Sequence, residues 1–201
     1  MAIINQFQKM DFTLTANLPP ETLIVDIGMG EGEFVKHCLD IGASVVYGFE
    51  ERDDLFITAE NKLADYGKRV KIYKQCVCRS DMFNDQDATR FDFIVSHLPR
   101  IDMLKISVGK EVYPILLTSK HLDKIGSIMG TTSEAPRPSV RPRTASEERV
   151  GQLRHPKMSD LKKYLEINGF NVDVVKEKKM FFAWKNGGIP FFKETTPFSK
   201  T

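Results

Sequence analysis

The sequence lacks the features that mark several common classes of protein. Its 29 Lys and Arg residues nearly balance its 27 Asp and Glu residues, so the net charge of +2 provides no overall basic field for nucleic acid. No segment approaches the roughly 20 consecutive apolar residues that span a bilayer. The N-terminal stretch, Met1 to Leu18, mixes polar with apolar residues and lacks the apolar core of a signal peptide. We therefore expect a cytoplasmic protein with no membrane segment.

Cysteine is also scarce, and its arrangement argues against a metal site. Cys76 and Cys78 lie two residues apart, without a second cysteine pair or a nearby histidine to complete a zinc site. In a strand they would share one face and pack in the core, as free cysteines often do. We expect no bound metal.

The composition that remains is typical of one globular domain. The chain has 201 residues, of which 41% are hydrophobic and 28% charged, and this length is sufficient to bury a core. We divide it into an N-terminal segment (1–20), a main domain (21–186) and a C-terminal tail (187–201). Within the main domain, residues 134–149 include alternating Pro and Arg, which excludes a helix or a central strand and indicates an exposed loop.

Short apolar runs alternate with amphipathic segments through most of the main domain. The runs suit strands covered on both faces of a parallel sheet, and the segments between them have helical periodicity. The last two runs are joined by a short charged turn, which indicates an antiparallel hairpin. We predict an α/β fold: a doubly wound, mostly parallel, seven-stranded sheet with an antiparallel C-terminal hairpin. The predicted strands are 22–26, 44–49, 70–77, 91–95, 126–131, 172–175 and 180–184, and the predicted helices are 33–41, 54–66, 112–122 and 159–168.

A glycine-rich loop follows the first predicted strand. It contains Gly28, Gly30 and Gly32, directly after the acidic residue Asp26. Glycine permits a tight turn and lets a ligand lie against bare backbone. The next helix offers unpaired N–H groups, and ligands of open α/β sheets bind at this end of the strands. The loop is therefore a candidate ligand site, although a purely structural strand-to-helix turn is an alternative.

The charges around the loop favour a cationic ligand. A dinucleotide-binding loop would carry a third glycine at position 33, which is Glu33 here. A carboxylate at the start of the helix repels a pyrophosphate, and Asp26 lies at the base of the loop. S-adenosylmethionine carries both a sulfonium and an ammonium group, so it fits these charges better than a dinucleotide does.

These residues resemble the class I S-adenosylmethionine-dependent methyltransferases. Asp26 to Gly32 match the acid-x-Gly-x-Gly-x-Gly motif of that family, and Glu50 matches the acid that ends its second strand. The resemblance implies a Rossmann-like methyltransferase fold with S-adenosylmethionine as cofactor. It implies that Glu50 holds the ribose hydroxyls and that Asp81 lies near the adenine amine. The complete implied set of cofactor-binding residues is Asp26, Gly28, Met29, Gly30, Gly32, Glu50, Glu51, Asp81 and Ser96.

Part of the chain also resembles the FkbM-type methyltransferases, which modify oxygens of sugars and related metabolites. The stretch Gly28 to Asp53 carries this resemblance, and Ile101 to Ile106 is similar to the central strand of that group. Ser107 and Gly109 stand where those enzymes have an acidic pair. This departure argues against an FkbM-type metal or base function.

Two groups of residues are candidates for contact with the methyl acceptor. Ser96 and His97 follow the predicted strand 91–95, whose end faces the sulfonium in this family, and His97 has a suitable intrinsic pKa for a base. The alternative for His97 is a plain hydrogen-bonding role. Arginine binds phosphate or carboxylate in bidentate fashion, so the arginines of the Pro/Arg-rich loop are candidates for substrate binding, or else belong to a solvated loop. They are Arg137, Arg141 and Arg143.

The leading functional hypothesis is methyl transfer from S-adenosylmethionine to a hydroxyl or amine of a small metabolite or glycan. One alternative is a non-catalytic methyltransferase-like domain that acts as a scaffold. Another is an RNA-modifying methyltransferase that uses the Pro/Arg-rich loop, although nucleic acid is not the favoured partner. The sequence does not determine the oligomeric state.

Overall fold

A computed structural model describes residues 12–13, 18–74, 96–107, 119–131, 158–175, 180–186 and 193–194. A 3₁₀ turn, Ala64–Arg69, directly follows the helix Asp53–Leu63. The strands are β1 (Phe12–Thr13), β2 (Leu23–Ile27), β3 (Val45–Glu50), β4 (Val70–Lys74), β5 (Ile101–Ile106), β6 (Ile125–Thr131), β7 (Asn171–Val175), β8 (Met180–Trp184) and β9 (Lys193–Glu194), and the helices are α1 (Glu33–Asp40), α2 (Asp53–Leu63), α3 (Ser119–Leu122) and α4 (Met158–Ile167).

Seven of these strands form one mixed sheet in the order β4-β3-β2-β5-β6-β8-β7. The strands from β4 to β6 in this order are parallel, whereas β8 is antiparallel to both β6 and β7. The order reverses between β2 and β5, so the ligand-binding crevice of such a sheet lies at the carboxyl ends of these two strands. The predicted fold class, including the antiparallel C-terminal hairpin, is confirmed.

The strand next to β2 is not the one that the apolar pattern predicted. Strand β5, Ile101–Ile106, lies between β2 and β6. The predicted strand 91–95 lies outside the described residues. Strand β5 carries Asp102 and Lys105 within an apolar run, so its apolar pattern alone did not predict a central strand. Both polar side chains are satisfied by partners on or next to β2.

Asp102 fastens the amino end of β5 to the amino end of β2. Its Oδ2 accepts a hydrogen bond of 2.7 Å from the backbone N–H of Leu23. Arg100 lies 3.3 Å from the other carboxylate oxygen and donates to the carbonyl of Glu21 at 3.1 Å. A hydrogen bond to a charged group is stronger than one between neutral groups, so this contact holds the two strands at their start.

The core lies on both faces of the sheet. One buried cluster packs β2, β3 and β5 against α1 and α2, and it includes Val35, Leu39 and Leu63. The cluster on the opposite face joins β2, β5, β6 and β8 to α4 and includes Leu165 and Phe181. Side chains alternate between the two faces along each strand because the strand has a period of two residues. Packing on both faces therefore holds the strands in place, and with them the carboxyl ends of the strands.

A buried ion pair crosses the centre of the sheet. Asp26 of β2 and Lys105 of β5 are register partners, and the lysine Nζ lies 2.9 and 3.2 Å from the two carboxylate oxygens. The exposed fractions of the two residues are 0% and 3%. The ammonium also lies 4.7 Å from the ring centroid of Phe34, which places the pair beneath α1. Each buried charge therefore depends on the other for its counter-charge.

Small parts of the predicted terminal segments pair with each other. Strand β1 is antiparallel to β9, with Phe12 opposite Glu194 and Thr13 opposite Lys193. The described helices contain no stretch that is both long and apolar enough to cross a bilayer.

Replacing Lys105 with Met removes the buried ammonium and keeps most of the side-chain length. We expect the free energy of unfolding to fall by about 3 to 5 kcal/mol near pH 8, because the Asp26 carboxylate stays buried without a counter-charge. Burial already raises the pKa of Asp26 against the opposing effect of Lys105, and the substitution raises that pKa further. The folded variant then holds a proton that the unfolded chain has released, so the deficit should shrink as the pH falls towards about 5. Urea denaturation across this range measures the effect.

Two further variants serve as comparisons. Asp26→Leu combined with Lys105→Met should regain most of the lost stability and show no such pH dependence, because no lone charge remains. Lys162→Met removes an exposed 3.7 Å ion pair with Glu166 on α4 and should change little at any pH. A Lys105→Met protein as stable as the Lys162→Met protein would contradict the account of the buried pair.

Candidate functional site

The glycine-rich loop between β2 and α1 adopts a backbone that requires glycine. Gly28, Gly30 and Gly32 have φ angles of 71°, 60° and 79°, in the left-handed region that other residues seldom adopt. A Cβ at Gly32 would lie 2.9 Å from Cδ1 of Leu63, so α2 packs directly on this glycine. A Cβ at Gly30 would have no atom of the described residues within 4 Å. Gly32 thus serves the packing of the loop, whereas Gly30 borders open space.

Met29 anchors the loop in the core. Its side chain is 4% exposed and its sulfur lies against Gly48 of β3, where a Cβ would collide with it. The N–H groups of Gly28 and Met29 both donate to the carbonyl of Phe49, at 2.9 and 3.0 Å. The sequence analysis assigned Met29 to the cofactor, but its side chain and its N–H already have partners within the protein. Its structural role is to hold the loop on the sheet.

Glu50 joins the end of β3 to the glycine-rich loop. Its Oε2 accepts a hydrogen bond of 2.9 Å from the N–H of Gly30. Its Oε1 accepts bonds of 3.0 Å from the N–H groups of Glu51 and Arg52. A carboxylate has about four acceptor positions, so roughly one remains, on Oε2 beside Gly30. Glu50 can therefore hold the loop and still accept a hydrogen bond from a ligand hydroxyl, and Glu51 beside it is exposed.

Asp26 is engaged by the protein itself. It has no exposed surface, and both of its oxygens face the ammonium of Lys105. Burial raises the pKa of Asp26, and Lys105 opposes that effect. The sequence analysis treated Asp26 as an acid that attracts a cationic ligand. In the structure the buried lysine already provides a counter-charge for Asp26, and the assignment of Asp26 to the cofactor stays a prediction.

Lys62 of α2 forms ion pairs with the two acids that flank Gly32. Its Nζ lies 2.5 Å from Oε1 of Glu33 and 3.8 Å from Oε2 of Glu31. Glu33 stands in the first turn of α1, where a carboxylate interacts favourably with the helix dipole. Gly32 occupies the N-cap position of α1. Because glycine has no side chain, no side-chain oxygen of the N-cap residue accepts a hydrogen bond from the first N–H groups of the helix.

Ser107 immediately follows β5 and lies beside the start of the loop. Its N–H donates to the carbonyl of Ile27 at 2.8 Å, which places it next to Gly28. Its hydroxyl oxygen is buried and makes no hydrogen bond within the described part of the chain. The sequence analysis identified Ser107 only as the replacement of an acid, and it gave Lys105 no role. A lysine within the mostly apolar strand β5 was the signal that it has a buried acidic partner.

Ser96 and His97 lie near the amino ends of the strands, at the end of the sheet opposite the glycine-rich loop. Lys124, which immediately precedes β6, donates from its Nζ to the carbonyl of Ser96 at 2.6 Å, and its own carbonyl accepts from Ile101, the first residue of β5. These residues therefore lie at the amino ends of β5 and β6, about 17 Å, the length of β5, from the glycine-rich loop. The prediction that Ser96 binds cofactor and His97 acts as a base is wrong, because it took strand 91–95 as the one that leads to the site.

The remaining predicted residues are Asp81, Arg137, Arg141 and Arg143, and they lie outside the described residues. Their assignments stay predictions. The described residues that meet at the carboxyl edge are the glycine-rich loop, Glu50, Glu51 and Ser107.

No protein-family model and no curated protein sequence matches this chain. Its structure is nevertheless similar to solved structures of methyltransferases. The precorrin-6y C5,15-methyltransferase of Geobacter metallireducens is 13% identical, with a TM-score of 0.53 over 92% of this chain and 87% of that one. The magnesium protoporphyrin IX methyltransferase of Synechocystis, which was solved with bound S-adenosylmethionine, is 15% identical, with a TM-score of 0.51 over 92% of this chain and 76% of that one.

A third similar structure is a protein from Listeria monocytogenes described as a putative S-adenosylmethionine-dependent methyltransferase. It is 14% identical, with a TM-score of 0.51 over 92% of this chain and 98% of that one. At these identities the likeness establishes the fold. This chain has the Rossmann-like fold of the S-adenosylmethionine-dependent methyltransferases.

Proposed function

We propose that this chain is an S-adenosylmethionine-dependent methyltransferase whose cofactor binds at the carboxyl edge of β2, β3 and β5. One observation carries the proposal: Glu50 is fixed against the glycine-rich loop by three backbone N–H groups and keeps an acceptor position beside Gly30. A fixed carboxylate with a vacant acceptor position is suited to hold a ribose hydroxyl, which is the role that the family resemblance gives to Glu50.

The loop geometry supports the same site. Open space faces Gly30, so a ligand can approach the backbone there without meeting a side chain. Met29 and Gly32 hold the loop on the sheet and on α2, and the loop is thus formed before a ligand arrives. Preorganisation of this kind lowers the entropic cost of binding.

The bound cofactor would supply an activated methyl group on its sulfonium, and the acceptor atom would displace the sulfur in line. The protein then has to hold the acceptor in that line and keep water away from it. Glu50 and the loop would position the adenosine part. The methyl group is then expected towards β5, on the side of the loop away from Glu50.

A small metabolite or glycan with a hydroxyl or amine is the acceptor class that we favour over RNA. Lys62 balances only one of the two negative charges of Glu31 and Glu33, and Glu51 is exposed, so the described surface around the loop is acidic. Like charges repel, so the negatively charged phosphate backbone of RNA is a poor fit to this end of the sheet.

Calorimetric titration with S-adenosylmethionine and S-adenosylhomocysteine tests the proposal. We expect both to bind. The absence of binding to either ligand would refute the enzyme hypothesis, whereas binding without turnover on broad panels of hydroxyl and amine acceptors would favour the scaffold alternative.

Glu50→Gln provides a residue-level test. The substitution keeps the shape of the side chain but places an amide N–H₂ where one carboxylate oxygen accepts hydrogen bonds. We expect the affinity for S-adenosylhomocysteine to fall by about tenfold or more, because a charge-assisted hydrogen bond to the ribose is lost. Glu60→Gln, on the exposed face of α2, is the matched control and should leave the affinity unchanged. Equal affinities of the two variants would show that the ligand does not contact Glu50.

Gly30→Ala and Gly32→Ala should separate binding from stability. Both substitutions place alanine at a positive φ, at a cost of about 1 to 2 kcal/mol. Gly32→Ala adds a collision with Leu63 and should therefore lower the thermal unfolding midpoint more. The methyl group of Gly30→Ala points into open space, so this variant should instead show the larger loss of cofactor affinity at a temperature where both are folded. The reverse order would place the ligand away from Gly30.

A further inference from the structure

Lys105 contacts the chain on both sides of the glycine-rich loop. Its Nζ lies 2.9 and 3.2 Å from the two carboxylate oxygens of Asp26, the residue before the last one of β2. The same ammonium lies 4.7 Å from the ring centroid of Phe34, in the first turn of α1, which is within the range of a cation–π contact. The loop between β2 and α1 comprises residues 28–32. One buried lysine therefore joins the segment before the loop to the segment after it.

A gain in stability is a poor explanation of this lysine. Lys105 and Asp26 are 3% and 0% exposed, so both charges have lost nearly all contact with water. Because that loss of hydration is costly, apolar residues of similar volume often stabilise a protein as well as a buried ion pair does. A fixed geometry is what the charged pair provides and an apolar pair does not.

The start of the loop is held from both neighbouring strands. On the β3 side, the N–H of Gly28 donates to the carbonyl of Phe49 at 2.9 Å. On the β5 side, the N–H of Ser107 donates to the carbonyl of Ile27 at 2.8 Å. Two residues before Ser107, Lys105 adds a charged side-chain contact on this second side and extends it to α1.

The positions of the loop ends determine where Gly30 stands relative to Glu50. The N–H of Gly30 donates to Oε2 of Glu50 at 2.9 Å, and the acceptor position proposed for the ribose lies beside this bond. Glycine has more backbone freedom than any other residue, so a loop with three glycines has many other conformations if its ends are released. Holding both ends keeps Gly30 and Glu50 in the arrangement that binds a ligand.

We infer that Lys105 is a positioning residue of the cofactor site: it holds Asp26 and Phe34, fixes both ends of the glycine-rich loop, and raises the affinity for the cofactor without touching it. This inference rests on the proposed function, because it concerns the same loop. A released loop has to be ordered when the ligand binds. Ordering the backbone of one residue costs as much free energy as a loss of affinity of about tenfold.

Titrations of wild type and of Asp26→Leu combined with Lys105→Met test the inference with two ligands. S-adenosylhomocysteine carries the amino-acid end of the cofactor, whereas 5′-methylthioadenosine lacks it, and both carry the ribose. We expect the double variant to weaken both ligands by the same factor, about tenfold, because a displaced loop affects the part that they share. Its thermal unfolding midpoint should stay close to that of wild type, since no lone charge remains. A purely structural role of the pair would leave both affinities unchanged at that midpoint.

Phe34→Leu tests the contact with α1 while both charges stay in place. We expect it to weaken both ligands equally, by about threefold, the size of one cation–π contact. Phe56→Leu is the matched control, because Phe56 is also a partly buried phenylalanine of the same apolar cluster but lies on α2. It should leave both affinities unchanged.

The outcomes separate the inference from the proposed function. If the double variant binds both ligands as wild type does, the inference is overturned while the proposed function stands. The same holds if the double variant weakens S-adenosylhomocysteine alone, which would indicate direct contact of Asp26 with the amino-acid end. Should the double variant fail to fold, equal effects of Phe34→Leu and Phe56→Leu would overturn the inference. If wild type binds neither ligand, the proposed function fails and the inference fails with it.

Discussion

The ion pair between Asp26 and Lys105 constrains the centre of the sheet. Each residue stands opposite the other in the parallel register of β2 and β5, and a shift by one residue would move one of the charges to the other face of the sheet. The register that satisfies both charges also brings the N–H of Ser107 to the carbonyl of Ile27, where the glycine-rich loop begins. The carboxyl edge at which the strand order reverses is therefore aligned by a buried electrostatic contact.

The loop itself is held by the protein at several points. Met29 packs on Gly48, α2 packs on Gly32, and Glu50 accepts the N–H of Gly30. Most of the polar groups of the loop thus have partners in the chain. Among the described residues, an acceptor position on Glu50 beside Gly30 remains for a ligand. A ligand with a hydroxyl at this position fits the arrangement, and the ribose of S-adenosylmethionine provides one.

The local features could be predicted from the sequence, whereas the contacts between distant residues could not. The glycine-rich loop and Glu50 are recognisable because a tight strand-to-helix turn and an acid at a strand end are short patterns. The partnership of Asp26 with Lys105 joins residues separated by 79 positions, and no local pattern reports it. The error on His97 has a related cause: 91–95 is a purely apolar run, whereas β5 contains two charged residues. Those charges are compatible with a central strand because the N–H of Leu23 donates a hydrogen bond to Asp102 and because Asp26 pairs with Lys105.

A crystal structure of the protein with S-adenosylhomocysteine tests the central claim most directly. The account predicts ribose hydroxyls within hydrogen-bonding distance of Glu50, with Asp26 still paired to Lys105. A ligand bound away from the carboxyl edge of β2 and β5, or one whose amino group displaces Lys105 from Asp26, would contradict it.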